Sequence, residues 1–105
     1  MILHLDTKDQ KVVRVSLKDN GRVVKRLSEE NEYGSQVLLP LIDKLIRMVT
    51  PGVDVQNWGI LEAIEIETGP GSFTGLRVGV SVANALGFSL RIPVNGKKME
   101  TNLSY

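Results

Sequence analysis

The sequence predicts an α/β domain in which a mixed sheet of five strands carries two helices on one face. Three observations predict it. Short N-terminal stretches alternate apolar and polar residues with the period of a strand, and two later stretches place apolar residues at helical spacing. Between those two helical stretches, an apolar run at 60–66 passes into a glycine-rich turn.

Residues 2–6 read as the first strand, with Leu3 and Leu5 alternating with His4 and Asp6, and residues 6–10 form a turn after it. Residues 11–17 alternate again, Val13, Val15 and Leu17 on one side and Arg14 and Ser16 on the other. Residues 18–21 end in Asn20-Gly21, a strong hairpin signal because such a turn needs positive φ at both central positions. Residues 22–27 are the partner strand, completing an antiparallel meander. Residues 28–33 are polar and acidic and are expected to loop.

A helix is predicted over 35–49. Advancing 100° per residue, Val37, Leu41, Leu45, Leu38, Val49, Ile42, Ile46 and Leu39 fill an arc of roughly 200°. Gln36, Asp43, Lys44 and Arg47 hold the remainder, with Pro40 on that polar side. So wide an arc exceeds what one sheet requires, so the helix is deeply embedded or covered by a partner. Thr50-Pro51-Gly52 stops it, and 53–58 lead to the central strand, where Ile64 and Ile66 alternate with Glu65 and Glu67.

The helix over 76–90 is apolar almost all round, with a thin polar stripe of Arg77, Ser81 and Asn84. Gly75, Gly79, Ala83 and Gly87 recur every fourth residue as a ridge of small side chains. Each interior glycine costs roughly 1 kcal/mol against alanine, so the ridge is expected to be closely covered, by the first helix or by a partner's. Residues 92–94 are the last strand and 95–105 a polar tail. The order β-β-β-α-β-α-β is that of an RNase H-like half domain. Right-handed crossovers put both helices on one face and leave the other wet.

The chain of 105 residues fits one domain spanning 1–105, with 96–105 as its tail. A formal net charge of +1 supplies no strong pull toward nucleic acid or membrane. The absence of cysteine excludes disulfides and thiolate chemistry. His4, Asp6, Lys8 and Asp9 interrupt any N-terminal apolar segment, and no stretch approaches the roughly 20 apolar residues of a bilayer span. A cytoplasmic location is expected.

The glycine-rich turn, Thr-Gly-Pro-Gly-Ser-Phe-Thr-Gly-Leu-Arg at 68–77, invites a chemical reading. Gly69, Gly71 and Gly75 permit positive φ or close backbone approach, Pro70 stiffens the turn, and Ser72 and Thr74 suit a helix N-cap. A phosphate-binding P-loop would need Lys-Ser/Thr after Gly75, where Leu76-Arg77 stands, and the glycine spacing misses the dinucleotide fingerprint. A structural turn and an anion-binding loop both stay open.

Residues 69–79, Gly-Pro-Gly-Ser-Phe-Thr-Gly-Leu-Arg-Val-Gly, resemble the signature of the bacterial TsaB (YeaZ) family. Residues 2–7 resemble its opening strand, and 35–42, Ser-Gln-Val-Leu-Leu-Pro-Leu-Ile, its first helix. The resemblance runs in order from residue 2 to about residue 95, matching the N-terminal half of an actin-like ATPase fold built from two similar halves. It implies a non-catalytic subunit of the machinery that makes N6-threonylcarbamoyladenosine in tRNA, working with a catalytic TsaD-type subunit and a TsaE-type ATPase. Pairing through the two helices would place a partner interface at Leu38, Leu41, Ile42, Leu45, Gly75, Gly79, Ala83 and Gly87. A homodimer through the same helices is expected in isolation. The signature loop maps onto Gly69, Pro70, Gly71, Ser72, Phe73, Thr74, Gly75 and Arg77. The resemblance implies no catalytic residue, metal or cofactor in this chain, and contact with tRNA only through partners. Where the family's central strand is apolar or small, this chain has Glu65 and Glu67, which suits a face left uncovered by the other half.

The residues that could carry chemistry each have a plainer reading. His4 sits inside a strand on the wet face, badly placed for a triad with Ser72. Glu65 and Glu67 lie ~7 Å apart, as acid–base carboxylates can, but also as any half-exposed strand produces. Asp6 occupies the place where actin-like ATPases bind phosphate and metal, yet Thr7-Lys8-Asp9 lacks the glycine such loops use. The catalytic sister subunit follows its last strand with His-x-x-x-His; here Lys98 and Asn102 take those places, and neither holds a transition metal well. The alternative from another class is a small-anion or nucleotide-binding enzyme fragment using Gly69–Gly75.

Overall fold

A computed structural model describes residues 1–9, 11–30, 37–50 and 58–104. The elements are β1 (Ile2–Asp6), β2 (Val12–Asp19), β3 (Arg22–Glu30), α1 (Leu38–Val49), a 3-10 turn at Trp58–Ile60, β4 (Ala63–Ile66) and α2 (Phe73–Leu90). The sheet runs β3-β2-β1-β4, with β1 parallel to β4 and the other pairs antiparallel. The expected helix start at Ser35, its stop at Pro51-Gly52 and the connector from residue 53 lie outside the described residues.

The meander forms for the reasons the sequence supplies. Asn20 and Gly21 both take positive φ, 51° and 79°, and close a two-residue turn whose twist matches the flanking strands. β3 runs past the predicted end: Ser28, Glu29 and Glu30 pair with Arg14, Val13 and Val12. Of the expected loop at 28–33, residues 28–30 are strand and 31–33 lie outside the described residues. An edge strand keeps its side chains in water, so acidic residues there lose no hydration while their backbones gain a ladder.

Register sorts the faces. Leu3 lies between Leu17 and Ile64, and Leu5 between Val15 and Ile66, all buried. His4 lies between Ser16 and Glu65 on the opposite face. α1 buries Leu38, Leu41, Ile42, Leu45 and Ile46 and contacts β2 and β3, while α2 contacts β1 and β4. Both helices close one apolar core, each buried Leu or Ile contributing about 1.5–3 kcal/mol. The predicted arc of α1 is narrower in the structure, since Leu39, at its edge, is 47% exposed.

The predicted fifth strand is a single bridge. Pro93 O accepts from Ile64 N (2.9 Å) and Asn95 N donates to Ile64 O (2.8 Å). Pro93 has no N–H of its own, and Asn95 and Gly96, at φ 51° and 76°, turn the chain back so that Val94 and Lys97 bond each other. Asn95 then continues the ladder with its side chain: Oδ1 accepts from Ile66 N (2.9 Å) and Nδ2 donates to Ile66 O (3.0 Å).

α2 starts at Ser72, whose Oγ accepts from Gly75 N (3.2 Å), and ends at Arg91 in the left-handed region at φ 57°. With 18 residues and mean hydropathy 1.2 it is long and apolar enough to cross a membrane by length and composition, contrary to the expectation that no stretch comes near. In this fold its glycine ridge lies on the sheet. The ridge does not face α1. A Cβ at Gly75 would meet the Thr7 carbonyl, one at Gly79 the Thr7 hydroxyl and Ile66 Cδ1 (2.9 Å), and one at Gly87 Val94 Cγ2 (2.5 Å). The helix crosses the end of β1 with no room for side chains between.

Thr7 is 2% exposed, and its Oγ1 has no hydrogen-bond partner. Even with the hydroxyl turned away, an added carbon at Gly79 would lie 3.1 Å from Thr7 Cβ and 2.9 Å from Ile66 Cδ1. Gly79→Ala is therefore expected to destabilise by about 1–3 kcal/mol through overpacking, although helix propensity alone would favour alanine by ~1 kcal/mol. Adding Thr7→Ala removes both the obstruction and the orphan hydroxyl, and should recover most of that loss in urea denaturation. A Gly79→Ala protein as stable as the parent would overturn the account.

Candidate functional site

The signature loop is built around the end of β1. β4 hands over to it with Glu67 N donating to Leu5 O (3.0 Å), and the Gly69–Pro70 peptide is cis. Ser72 N donates to Lys8 O (2.8 Å), while a Cβ on Gly71 would lie 2.6 Å from both Cβ and O of Lys8. Gly69, at φ 114°, is pressed by the Ser104 carbonyl, and Ser104 N donates to Thr68 O (2.8 Å). Each loop glycine is thus answered by the chain's own backbone, which supports the structural reading of the turn. Pro70, Phe73, Thr74 and Arg77 face solvent, with the Arg77 guanidinium 5.1 Å from the centroid of the Phe73 ring.

The residues expected at a partner interface are placed inside. Leu38, Leu41, Ile42, Leu45, Gly79, Ala83 and Gly87 are buried, and Gly75 is half-buried under the Thr7 carbonyl. They form the inner sides of α1 and α2, where the sheet covers them. What remains half-exposed on α2 is the flank Val78, Val82, Leu86 and Leu90, with Leu39 and Met48 exposed on α1.

The wet sheet face gathers the acid–base candidates into a paired array. His4 Nδ1 lies 3.0 Å and Lys18 Nζ 3.1 Å from Glu65 Oε1, and His4 Nε2 lies 3.4 Å from Glu67 Oε1. Hydrogen bonding from His4, then from Lys18, holds the Glu65 carboxyl below its ordinary range. Lys8 stands 3.8 Å from both Asp6 and Glu67, and Arg14 4.0 Å from Asp6. Glu65 and Glu67 are each matched by a lysine, Lys18 and Lys8 respectively. These partly exposed pairs contribute little energy, and the Ser72 hydroxyl is taken up by Gly75 N rather than aimed at a histidine. Among the described residues no three His, Asp or Glu groups could hold a metal together.

Sequence reasoning missed the organisation of the last ten residues. The expected polar tail is docked. Glu100, 5% exposed, accepts from Asn95 Nδ2 (2.8 Å), Thr101 N and Asn102 N (3.0 Å each) and Lys97 Nζ (3.3 Å). Its backbone is clasped by Asn84, with Oδ1 accepting from Glu100 N (2.7 Å) and Nδ2 donating to Glu100 O (2.9 Å). The Asn95-Gly96 dipeptide was the available turn signal. Lys98 and Asn102 are exposed.

The Asn95 hydrogen bond, followed by those from Asn102 and Lys97, lowers the Glu100 carboxyl to about 2 against the opposing effect of burial. A folded value below the unfolded 4.5 stabilises above pH 4.5, and that contribution is lost as pH falls toward 2. The Glu100→Gln protein should lose about 2–3 kcal/mol at pH 7 and show a flatter stability profile between pH 4.5 and 2. Urea titrations across that range check it; an unchanged profile would count against a charged Glu100 at the centre of the network.

The family model described as "tRNA N6-adenosine threonylcarbamoyltransferase" matches residues 20–97. A tRNA N6-adenosine threonylcarbamoyltransferase of Nitrosospira multiformis is 41% identical over 76 residues, 72% of this chain and 20% of that protein. The tRNA threonylcarbamoyladenosine biosynthesis protein TsaB of Escherichia coli is 28% identical over 95 residues, 90% of this chain and 38% of that protein. The structure of YeaZ from Pseudomonas aeruginosa superposes with a TM-score of 0.76 at 31% identity, covering 89% of this chain and 42% of that one. The chain spans well under half the length of the curated relatives it matches.

Proposed function

Since the chain belongs to the tRNA N6-adenosine threonylcarbamoyltransferase family and matches its TsaB (YeaZ) members, we propose that it is a non-catalytic partner subunit in tRNA modification. It binds the catalytic TsaD-type subunit through its helical layer, a TsaE-type ATPase joins that complex, and the assembly works in the cytoplasm. Alone, the chain pairs with a second copy over the same surface.

One observation carries this reading. α2 seats its small-residue stripe on the sheet yet leaves a second apolar stripe, Val78, Val82, Leu86 and Leu90, only half-covered at the edge of the core. Leu39 and Met48 are exposed on α1, but about 180° apart around it, so only one of them can adjoin that flank. An apolar strip along paired helices is what another helix pair can bury. The non-catalytic role is supported by Lys98 and Asn102 where the catalytic sister has histidines, and by the engagement of His4 with Glu65 and Glu67.

Ala85 is exposed and one turn from Val82, so a charge there opposes docking without touching the core. Ala85→Arg is expected to weaken association with the catalytic subunit of the same cell, and self-association, at least about tenfold while leaving the melting temperature unchanged. Size-exclusion chromatography with light scattering reads both. Association as strong as the parent's would place the interface elsewhere.

A further inference from the structure

At the C-terminal end of α2 lies an open groove of about 890 Å³, and nothing in the fold or the pairing surface uses it. Its floor is Gly87 and Pro93, and its rim carries Phe88, Arg91, Lys97 and Lys98. Phe88 is 86% exposed, the most exposed large apolar side chain among the described residues. A phenyl ring left in water on a helix otherwise packed or polar at that level has no structural return.

The charge around it is one-sided. Arg91 and Lys98 have no ion-pair partner among the described residues, and Lys97 shares the buried Glu100 at 3.3 Å. The last carbonyls of α2 bring some negative potential here, but Arg91 N and Ile92 N both donate to Gly87 O, and three cations outweigh the remainder. The rim is also fixed before any ligand arrives. Arg91 is held in its left-handed cap, and the 94–97 turn is locked by mutual bonds of 2.7 and 3.0 Å. Behind that turn, Asn95 and Glu100 tie it to β4.

An exposed aromatic face ringed by cations on a well-held backbone fits a ligand that alternates flat rings with phosphates. We propose that this groove is a contact site for an unpaired nucleic-acid strand, with a base stacked on Phe88 and its flanking phosphates on Arg91, Lys98 and Lys97. The occupant is an RNA loop; that choice rests on the tRNA-modification role above, whereas the site itself does not. It departs from the expectation that this chain meets tRNA only through partners. Phe88 lies about 160° around α2 from Leu86 and Leu90, the flank residues at its own level, so docking and strand binding use different sides of the helix.

The test is fluorescence anisotropy of the full chain with a fluorescein-labelled, unpaired oligoribonucleotide of roughly ten nucleotides. Binding is expected at low salt. Phe88→Ala should weaken it at least about fivefold, while Phe73→Ala, at the far end of α2, changes nothing. Arg91→Ala and Lys98→Ala should each weaken it and flatten the slope of log K against log salt by about 0.7. Phe88 and Lys98 are exposed, so melting temperatures should hold. A DNA strand of the same sequence is expected to bind comparably, since no group in the groove is placed to read a 2′-hydroxyl, and an RNA duplex is expected to bind less well. Binding indifferent to Phe88→Ala, or equal competition by poly-glutamate, would overturn the proposal and point to an acidic protein instead. Val82→Ala, which trims the pairing flank without placing a charge beside Phe88, should leave oligonucleotide binding intact, which separates failure of the pairing surface from failure of this site.

Discussion

The contact between α2 and the end of β1 governs the arrangement of everything around it. At Gly75 and Gly79 the helix meets the carbonyl and hydroxyl of Thr7 with no intervening side chain. That approach lets the loop before the helix fold back over Lys8, which takes Ser72 N on its carbonyl and leaves space for no Cβ at Gly71. The glycines of the signature therefore read as clearance against strand and turn backbone rather than as a cradle for an anion. The cost of this geometry is visible in the buried Thr7 hydroxyl, which has no hydrogen-bond partner among the described residues.

A second constraint acts at the opposite edge of the sheet. β4 is only four residues long, and the segment that should pair beside it contributes one bridge before it turns away. The Asn95 amide replaces a missing strand residue, giving Ile66 both a donor and an acceptor. Its remaining N–H holds the Glu100 carboxylate, which gathers two backbone N–H groups and so fixes residues 100–102. Asn84 of α2 clasps the same residue's backbone. Strand edge, helix and C-terminal segment are thereby joined through one buried charge, and such a charge is stable only while its hydrogen bonds are complete.

What was legible in the sequence follows from how local each signal is. Alternation in β1 and β2, the Asn20-Gly21 turn and the apolar spacing of α1 depend on neighbours a few residues away, and these elements stand where they were expected. The signature stretch identified the family for the same reason, as a contiguous string. Most of the misreadings involve partners distant in sequence. β3 extends through Glu30 because β2 supplies a ladder that its own composition does not announce. The small-residue ridge was correctly expected to be covered, but periodicity cannot distinguish a helix from a strand end as the cover. Leu38, Leu41, Ile42 and Leu45 were apolar enough for an interface and equally for a core; only the sheet beneath them decides. Glu100, reading as one acid in a polar tail, becomes central once Asn84 and Asn95 converge on it.

α2 shows why a helix can be apolar nearly all round without being fully buried. One side needs small residues, since backbone must approach backbone at Thr7 and side chain must clear Val94. The adjacent flank, Val78 to Leu90, is aliphatic because it packs against the core and is only partly enclosed there. The third side alternates Arg77, Ser81 and Asn84 with Phe73 and Phe88, combining polar contacts to the C-terminal segment with two aromatic rings in water. Amphipathic patterning assumes one core and one solvent, and a helix with three different neighbours satisfies no such pattern. The weak polar stripe is then a measure of how many surfaces compete for the helix. Its exposed apolar positions mark the sides on which the domain, by itself, leaves contacts unmade.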